Sequence, residues 1–416
     1  MKGYGLQAQV PEDSVVAGME ALLTEATRIR QHGFTDTELI RQKRDLLRSY
    51  ETSYRERENI PSQSLAQQYV QLFLTGEAVP GIETEYELAQ EILPTINVSD
   101  VNAVTSTIVA DRNRAVLVQM PEKEGLEAPS TDTLAAVLDR VRNKEVEPYE
   151  DEMSDVPLMA NVPEPAGVQS TESIDTLGTT VWTLENGVTV VHKPTDFKDD
   201  EVRFTATSPG GTSTIDDEAY RSMRFAPNVV RQSGVGPFNN TTLNKYLQGK
   251  TVSVNPYISG REEGMNGSAS PDDLETLFQL IHLYATEPRV DANALESFQQ
   301  QVVARLKNRS ATPTAALQDT LVSKVYDNHP RVLPPTVEEV ESLDGEALLD
   351  FYRTRFADAS DFTFTFAGNV SVDSLAQYAQ SYLGTLPATD RSDEVQAVRP
   401  APPNDVVEAE VRAGQG

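Results

Sequence analysis

A stretch rich in proline and acidic residues, from 121 to 175, divides this chain of 416 residues and limits how it can fold. Prolines stand there at 121, 129, 148, 157, 163 and 165, and acidic residues cluster at Glu145, Glu147, Glu150, Asp151, Glu152 and Asp155. Proline has no backbone N–H to give to a helix or a sheet, so only Thr131–Val141 is predicted to be helical in this stretch. We therefore predict a linker, with a separate hydrophobic core on either side of it.

The residues before the linker are predicted to be mostly helical. Thr35 to Glu38 has the pattern of a capping box, in which a Thr hydroxyl and a Glu carboxylate satisfy free N–H groups at a helix start. Gly33 is predicted to end the helix before it. Strands are predicted over Tyr4–Val10 and Ala115–Met120. Apolar residues recur at helical spacing in the first helix, at Val15, Met19, Leu22, Leu23, Ala26 and Ile29.

The residues after the linker mix both kinds of element. Asn186-Gly187 between two apolar runs predicts a β-hairpin with positive φ at both residues. Further strands are predicted at 201–207, 251–259, 262–268, 362–367 and 406–411, and helices at 217–232, 241–248, 272–287, 291–307, 314–326, 346–355 and 372–383. A helix followed by a strand also occurs before the linker. The predicted fold class is therefore α+β, with repeated sandwich domains in which a mostly antiparallel sheet packs against helices.

The charge of the chain excludes one class of partner. Its 35 basic and 64 acidic residues give a formal net charge of -29. Nucleic acid is excluded as a partner, because binding it needs a basic surface. The acidic charge has three possible interpretations: solubility through self-repulsion, adaptation to salt, or an acidic cavity for basic peptides. No apolar run approaches the length of a membrane span, which is about 18 residues.

The residues that usually carry out chemistry are few and scattered. The chain has no cysteine, which excludes disulfides, thiolate catalysis and cysteine-based zinc sites. No Gly-x-Ser-x-Gly motif is present. The paired acids Asp199-Asp200, Asp216-Asp217 and Glu262-Glu263 are predicted to be solvated surface. No two histidines have the helical spacing of a metal pair, and His282 is predicted to be a packed side chain; the four are His32, His192, His282 and His329.

Several ordered runs resemble the insulinase/pitrilysin family of zinc peptidases. Leu184–Val190 is similar to the opening hairpin of that family, and 202–211 to its second strand and glycine pair. The run 272–280 with Pro288 is similar to the helix after its metal region. Phe364–Val370, followed by Tyr382–Pro387, is similar to its strand, Gly-Asn turn and Tyr-Leu-Gly-x-Leu-Pro exit. Residues 6–47 resemble the closing helices of its even-numbered domain.

The resemblance implies that this chain lacks the family's zinc motif, His-x-x-Glu-His. Pro227, Val230 and Arg231 stand at the matching positions, and none of them binds zinc or takes up a proton. Glu296 lies roughly at the position of the family's third zinc ligand, but a single carboxylate does not hold the metal. We therefore expect no catalytic, metal or cofactor residue in this chain, with zinc in an upstream domain of the parent protein.

The resemblance also implies a domain order. Residues 1–122 would be the later part of a second peptidase-like domain, and 123–175 an acidic, proline-rich linker between two halves. Residues 176–390 would be a third domain without zinc, and 391–416 the start of a truncated further domain.

Three functions follow from these observations. The first is the non-catalytic middle portion of a bacterial zinc metalloendopeptidase, where it forms part of a chamber around the peptide and binds it at a sheet edge. The second is a zinc-less scaffold or peptide-binding partner of a catalytic subunit, and the third is an unrelated acidic interaction module. The expected partners are an upstream catalytic domain or a separate catalytic subunit, and a peptide substrate. Bacterial relatives favour the periplasm or cell envelope, with the cytoplasm as an alternative.

Overall fold

The computed structural model describes residues 4–109, 113–120, 125–151, 156–310, 313–389, 391, 393–398, 406 and 408. These residues form two compact units. The first contains the described residues of Met1–Leu47 and Glu87–Met153, and the second contains those of Arg48–Tyr86 and Ser154–Ala413. Up to residue 151 the described elements are helices: α1 (Val15–His32), α2 (Asp36–Arg55), α3 (Ser62–Thr75), α4 (Ile82–Ile92), α5 (Val98–Ile108) and α6 (Thr131–Arg142).

The described residues after 156 form both strands and helices. The strands are β1 (Val168–Ile174), β2 (Thr179–Leu184), β3 (Thr189–Pro194), β4 (Val202–Pro209), β5 (Val252–Ile258), β6 (Glu262–Ala269) and β7 (Thr363–Gly368). The helices are α7 (Asp217–Met223), α8 (Ala226–Ser233), α9 (Asn240–Leu247), α10 (Leu274–Thr286), α11 (Ala292–Ser310), α12 (Pro313–Val325), α13 (Val337–Glu341), α14 (Gly345–Phe356) and α15 (Val372–Tyr378), the last continuing as a π-helical turn over Ala379–Leu383.

The first unit is held by a small apolar core between α1 and α6. Met19 from α1 is buried with Val137 and Val141 from α6. Gly33 ends α1 with a φ of 73°, as predicted, because a residue without Cβ adopts this conformation at little cost. Two buried side chains, Arg41 and Asp151, form an ion pair that adds a polar contact to the same unit.

The second unit is built on one seven-stranded sheet with the strand order β1-β2-β3-β7-β4-β6-β5. All neighbouring strands are antiparallel except β3 and β7. One face of this sheet is covered by helices. Phe366 on this face stacks between Phe204 and Phe278, with ring centroids 5.8 and 5.0 Å away. The predicted α+β class, with a mostly antiparallel sheet packed against helices, is confirmed.

Several predicted elements differ from the structure. Tyr4–Val10 and Ala115–Met120 are not strands, because neither run has a partner strand among the described residues. The single helix predicted over 217–232 is two helices, since Pro227 has no N–H to continue the first one. Strand β1 was missed and lies inside the predicted linker. Apart from residues 406 and 408, the strand predicted at 406–411 lies outside the described residues.

The predicted hairpin is present, but its turn differs. The N–H of Gly187 donates to the carbonyl of Leu184, and the N–H of Leu184 donates to the carbonyl of Val188. Only Gly187 has a positive φ, at 90°, whereas Asn186 does not. This is a three-residue hairpin loop with glycine in the left-handed position. The amide of Asn186 instead donates to the carbonyls of Leu383 and Leu386, which ties the hairpin to the end of the domain.

Candidate functional site

Helix α8 carries the three positions predicted to replace the zinc motif. Pro227 lies in the first turn, where a missing N–H is tolerated, and both Pro227 and Val230 are buried. Arg231 is in the last turn, and its Nη1 donates to Oδ1 of Asn255 at 3.4 Å. Imidazole and carboxylate ligands are absent from all three positions, so these residues do not fit a zinc ion. Their correspondence to the family motif remains a prediction.

The other side chains able to bind a metal are dispersed. Glu296 is exposed on α11 and accepts a hydrogen bond from Gln300 at 3.2 Å. His329 lies 3.4 Å from the carboxylate of Asp217. Among the described residues, no group of three or more His, Cys, Asp or Glu side chains is arranged to hold a metal ion.

Two histidines are part of the packed interior. His192 on β3 is fully buried, and its Nε2 lies 3.1 Å from the carbonyl oxygen of Val370. His282 on α10 has Nδ1 2.8 Å from the carbonyl oxygen of Tyr382. Burial lowers the pKa of both imidazoles, and the carbonyl contact partly opposes this in each case. Both rings are therefore packed side chains, as predicted for His282.

The acidic pair Glu262-Glu263 is not simply solvated surface, because Glu263 has no exposed area. Its Oε2 accepts the N–H of Gly211 at 2.5 Å, and its Oε1 pairs with Arg355. Arg355 also pairs with Asp393 at 2.6 Å. Burial raises the pKa of the Glu263 carboxyl, and the guanidinium of Arg355 acts against this change. The prediction of solvated surface was wrong for Glu263, whose partner Arg355 is far away in the sequence, whereas Glu262 is exposed as predicted.

A similar cluster surrounds Asp200, which the sequence also predicted to be solvated. The carboxylate of Asp200 is buried and pairs with Arg48 at 2.9 Å and with Arg55 at 3.1 Å. The hydroxyl of Thr52 donates to it at 2.9 Å. These contacts connect the last turns of α2 to the loop that precedes β4. Both clusters join parts of the second unit that are distant in the sequence.

The sheet face opposite the helices is the surface that remains open for binding. Register across the sheet places one row of side chains on this face, formed by Asn255, Asn266, Thr205, Thr365, Val191, Val181 and Glu172. All of these side chains are exposed or half-buried, whereas the next residues along the strands, such as Phe204, Phe366 and His192, are buried on the other face. Side chains alternate between faces along a strand, so the sheet has one closed face and one open face.

The open face is rich in hydroxyl groups and poor in charge. The two flanking rows are Ser253, Ser268, Arg203, Ala367 and Lys193 on one side, and Tyr257, Gly264, Thr207, Thr363, Thr189 and Thr183 on the other. In these three rows only Glu172 is acidic, and Arg203 and Lys193 are basic. This surface therefore differs in charge from a chain whose net charge is -29.

The free edge of β5, beside α8, is poorly suited to adding a peptide strand. The N–H of Ser259 donates to the carbonyl of Glu262, and the N–H of Ser270 donates to the carbonyl of Thr251. In an antiparallel pair, residues that bond to the partner strand alternate with residues that do not, so these two bonds identify the odd-numbered residues of β5 as the bonded ones. By that alternation the backbone of Pro256 points away from β6 toward the free edge. Proline has no N–H to offer there, a common protection of edge strands. The edge of β5 is therefore protected against the addition of another strand at Pro256.

Comparison with known proteins shows which proteins this chain resembles. The sequence model of the Peptidase M16 inactive domain matches residues 342–414. The zinc protease PQQL-like protein of Arabidopsis thaliana is 26% identical over 365 residues, which cover 86% of this chain and 35% of that protein. Residues 342–414 therefore match the inactive domain of the M16 peptidases, and the chain is similar to zinc proteases over most of its length. The resemblance to zinc peptidases that was predicted from the sequence is therefore confirmed.

The M16 relatives are much longer than this chain. The probable zinc protease PqqL of Haemophilus influenzae is 24% identical over 374 residues, covering 88% of this chain and 39% of the relative. Matches to 35% and 39% of these relatives mean that the chain spans well under half of their length.

Two solved structures share the fold. The periplasmic protease PqqL from Escherichia coli has a TM-score of 0.56 and 21% identity, over 96% of this chain and 44% of that chain. The ferredoxin protease FusC, as the E83A mutant in complex with Arabidopsis ferredoxin, has a TM-score of 0.55 and 20% identity, over 94% of this chain and 43% of that chain. Among the helices described, none is long and apolar enough to cross a membrane.

Proposed function

We propose that this chain is the non-catalytic portion of a larger M16 zinc metalloendopeptidase, and that the open face of its sheet forms part of the wall of a peptide-enclosing chamber. The observation that carries the proposal is the hydroxyl-rich open face, whose three rows hold one acidic and two basic side chains on a strongly acidic chain. Such a surface offers hydrogen bonds to extended polypeptide without selecting one charge. Its contribution to the reaction is positioning and exclusion of water.

In this proposal the zinc chemistry lies in another part of the same polypeptide or in a separate catalytic subunit. The absence of His and Glu from the matching positions of α8 supports this assignment. The substrate is a peptide or a protein segment, consistent with a fold neighbour that was solved with a protein bound. A periplasmic location is supported by the name of the PqqL neighbour from Escherichia coli.

The test places negative charge on the open face of the native-length protease. The variant Thr205→Glu/Thr365→Glu changes two adjacent positions in the central row. We expect the ratio of kcat/KM for basic over acidic peptides to rise by about two- to thirtyfold, because each exposed charge pair contributes about 0.2–1 kcal/mol.

The matched control is Asn293→Glu/Ser297→Glu, which adds the same charge at exposed positions of α11. Thermal unfolding of both variants checks that they are folded. If the open-face variant and the control change the ratio equally, the open face is not a substrate-facing wall.

A further inference from the structure

Helix α3 exposes an apolar surface unlike that of any other helix described in this chain. Each of its 14 residues is exposed, and none of them is charged. Six large apolar side chains contribute, with exposed fractions of 88% for Phe73, 69% for Leu74, 65% for Tyr69, 55% for Val70, 40% for Leu65 and 39% for Leu72. A contiguous exposed apolar surface of this kind marks an interaction site.

The pattern of α3 is that of a helix made to be buried. Leu65, Tyr69, Leu72 and Phe73 follow the spacing i, i+4, i+7 and i+8, and Val70 and Leu74 widen the stripe to about half of the helix circumference. The opposite side carries Ser, Gln and Thr. A helix of about 12–15 residues without tertiary packing is only marginally stable in water. The stability of α3 therefore depends on a partner that covers this stripe.

We propose that the apolar stripe of α3 is a docking surface for an uncharged, apolar face of a folded part of the same M16 polypeptide that lies outside these 416 residues. This inference rests on the proposed function. The relatives are much longer than this chain, which matches 35% and 39% of them, so a parent protein of their length would have further folded parts available to cover the stripe. The lack of charge on α3 suits such a contact, because a docked domain removes water from the whole stripe.

Other occupants fit the stripe less well. A helix that binds an anionic membrane surface carries Lys and Arg beside its apolar face, and α3 has neither. A peptide substrate is matched by the polar open face of the sheet, which offers hydrogen bonds that α3 does not. A second copy of this chain would bring together two surfaces of a molecule with a net charge of -29, and repulsion opposes that contact.

The experiment compares hydrogen exchange of Ser62–Thr75 in the 416-residue chain and in the native-length polypeptide, whose intact mass is measured first. We expect exchange at least about tenfold slower in the native-length protein, which corresponds to about 1.4 kcal/mol of added local stability. The variant Tyr69→Gln/Phe73→Gln in that protein restores fast exchange, because it removes two anchors from the stripe. The matched control, Leu317→Gln/Leu321→Gln, changes two exposed leucines of α12 and leaves the exchange of α3 slow.

Equal exchange of α3 in the short and native-length proteins overturns the docking surface while leaving the proposed function in place. A native mass equal to 45.7 kDa also overturns the docking surface, because the proposed partner then does not exist, and it leaves a separate catalytic subunit as the one form of the proposed function. Sedimentation of the 416-residue chain as a dimer, reversed by Tyr69→Gln/Phe73→Gln, overturns the proposal in favour of a second copy.

Discussion

Helices α3 and α10 have almost the same length, 14 and 13 residues, and both are rich in large apolar side chains. All residues of α3 are exposed, whereas eight residues of α10 are buried, including Phe278 and Ile281 with no exposed area. Helix α10 packs on the sheet, where Phe278 stacks on Phe366. The difference shows that apolar periodicity predicts a buried face but does not say which part of a protein buries it.

The largest expected effect comes from truncating a ring in α10. Phe278→Ala removes a fully buried side chain that contacts Phe366, Tyr378 and Tyr382. We expect the free energy of unfolding to fall by about 3–5 kcal/mol, because transfer to water and the remaining cavity both contribute. Denaturant unfolding of the 416-residue chain measures this loss. A loss below about 1 kcal/mol would mean that α10 is not the central packing helix.

A somewhat smaller loss is expected from the buried ionic cluster. Glu263→Gln keeps the shape of the side chain but removes the charge that faces Arg355. Because Arg355 keeps its pairing with Asp393, we expect a loss of about 1–3 kcal/mol in the free energy of unfolding. The control is Glu262→Gln, next along β6 and exposed. Equal effects of the two substitutions would contradict the buried pairing.

Buried His192 predicts a dependence of stability on pH. Its folded-state pKa lies below 6.5, so below that pH the unfolded chain binds more protons than the folded one. This contribution to stability is complete above about pH 6.5 and is lost as the pH falls toward the folded-state pKa, at about 1.4 kcal/mol per pKa unit. The difference in unfolding free energy between the native chain and His192→Gln should shrink on acidification.

The control for this prediction is Leu348→Ala, which shortens a fully buried side chain of α14 that has no titratable group. Its difference in unfolding free energy from the native chain should stay constant over the same pH range. A His192→Gln difference that is also constant from pH 7.5 to 5.5 would show that folding does not lower the pKa of the His192 imidazole.

The smallest change in the free energy of unfolding is expected for a substitution in α3. This substitution compares α3 with α10 most directly. Phe73→Ala makes the same chemical change as Phe278→Ala, but at a side chain that is 88% exposed. In the 416-residue chain we expect a change within about 0.5 kcal/mol, as for most surface substitutions. Parallel denaturant titrations of both variants give the comparison. A loss comparable to that of Phe278→Ala would mean that this stripe is already buried in the isolated chain.

The sequence predicts most of the second unit because its elements carry local signals. Helix α10 and the β2–β3 hairpin have clear periodicity and a turn glycine, and both are where they were expected. Strand β1 was missed since its residues, Val168–Ile174, are mainly polar and lie at an exposed edge without alternation. The prediction of one helix over 217–232 did not take account of Pro227, which lies in the first turn of a separate helix, α8.

The candidate site was less predictable, because it depends on contacts between distant residues. Burial of Asp200 and Glu263 depends on Arg48 and Arg355, which only the fold brings close. The open face emerges from strand register, which places Thr205 beside Thr365 although they are far apart in the chain. The domain boundaries at 122, 175 and 390 rest on family resemblance, and they remain predictions.

The central claim, that this chain is a non-catalytic part of an M16 peptidase, is tested most directly by its zinc content after exhaustive dialysis against a metal-free buffer. The account predicts no stoichiometric zinc on the 416-residue chain, because Pro227, Val230 and Arg231 provide no ligand. One zinc ion per chain, lost in a Glu296→Gln variant, would contradict it and place a metal site within this unit.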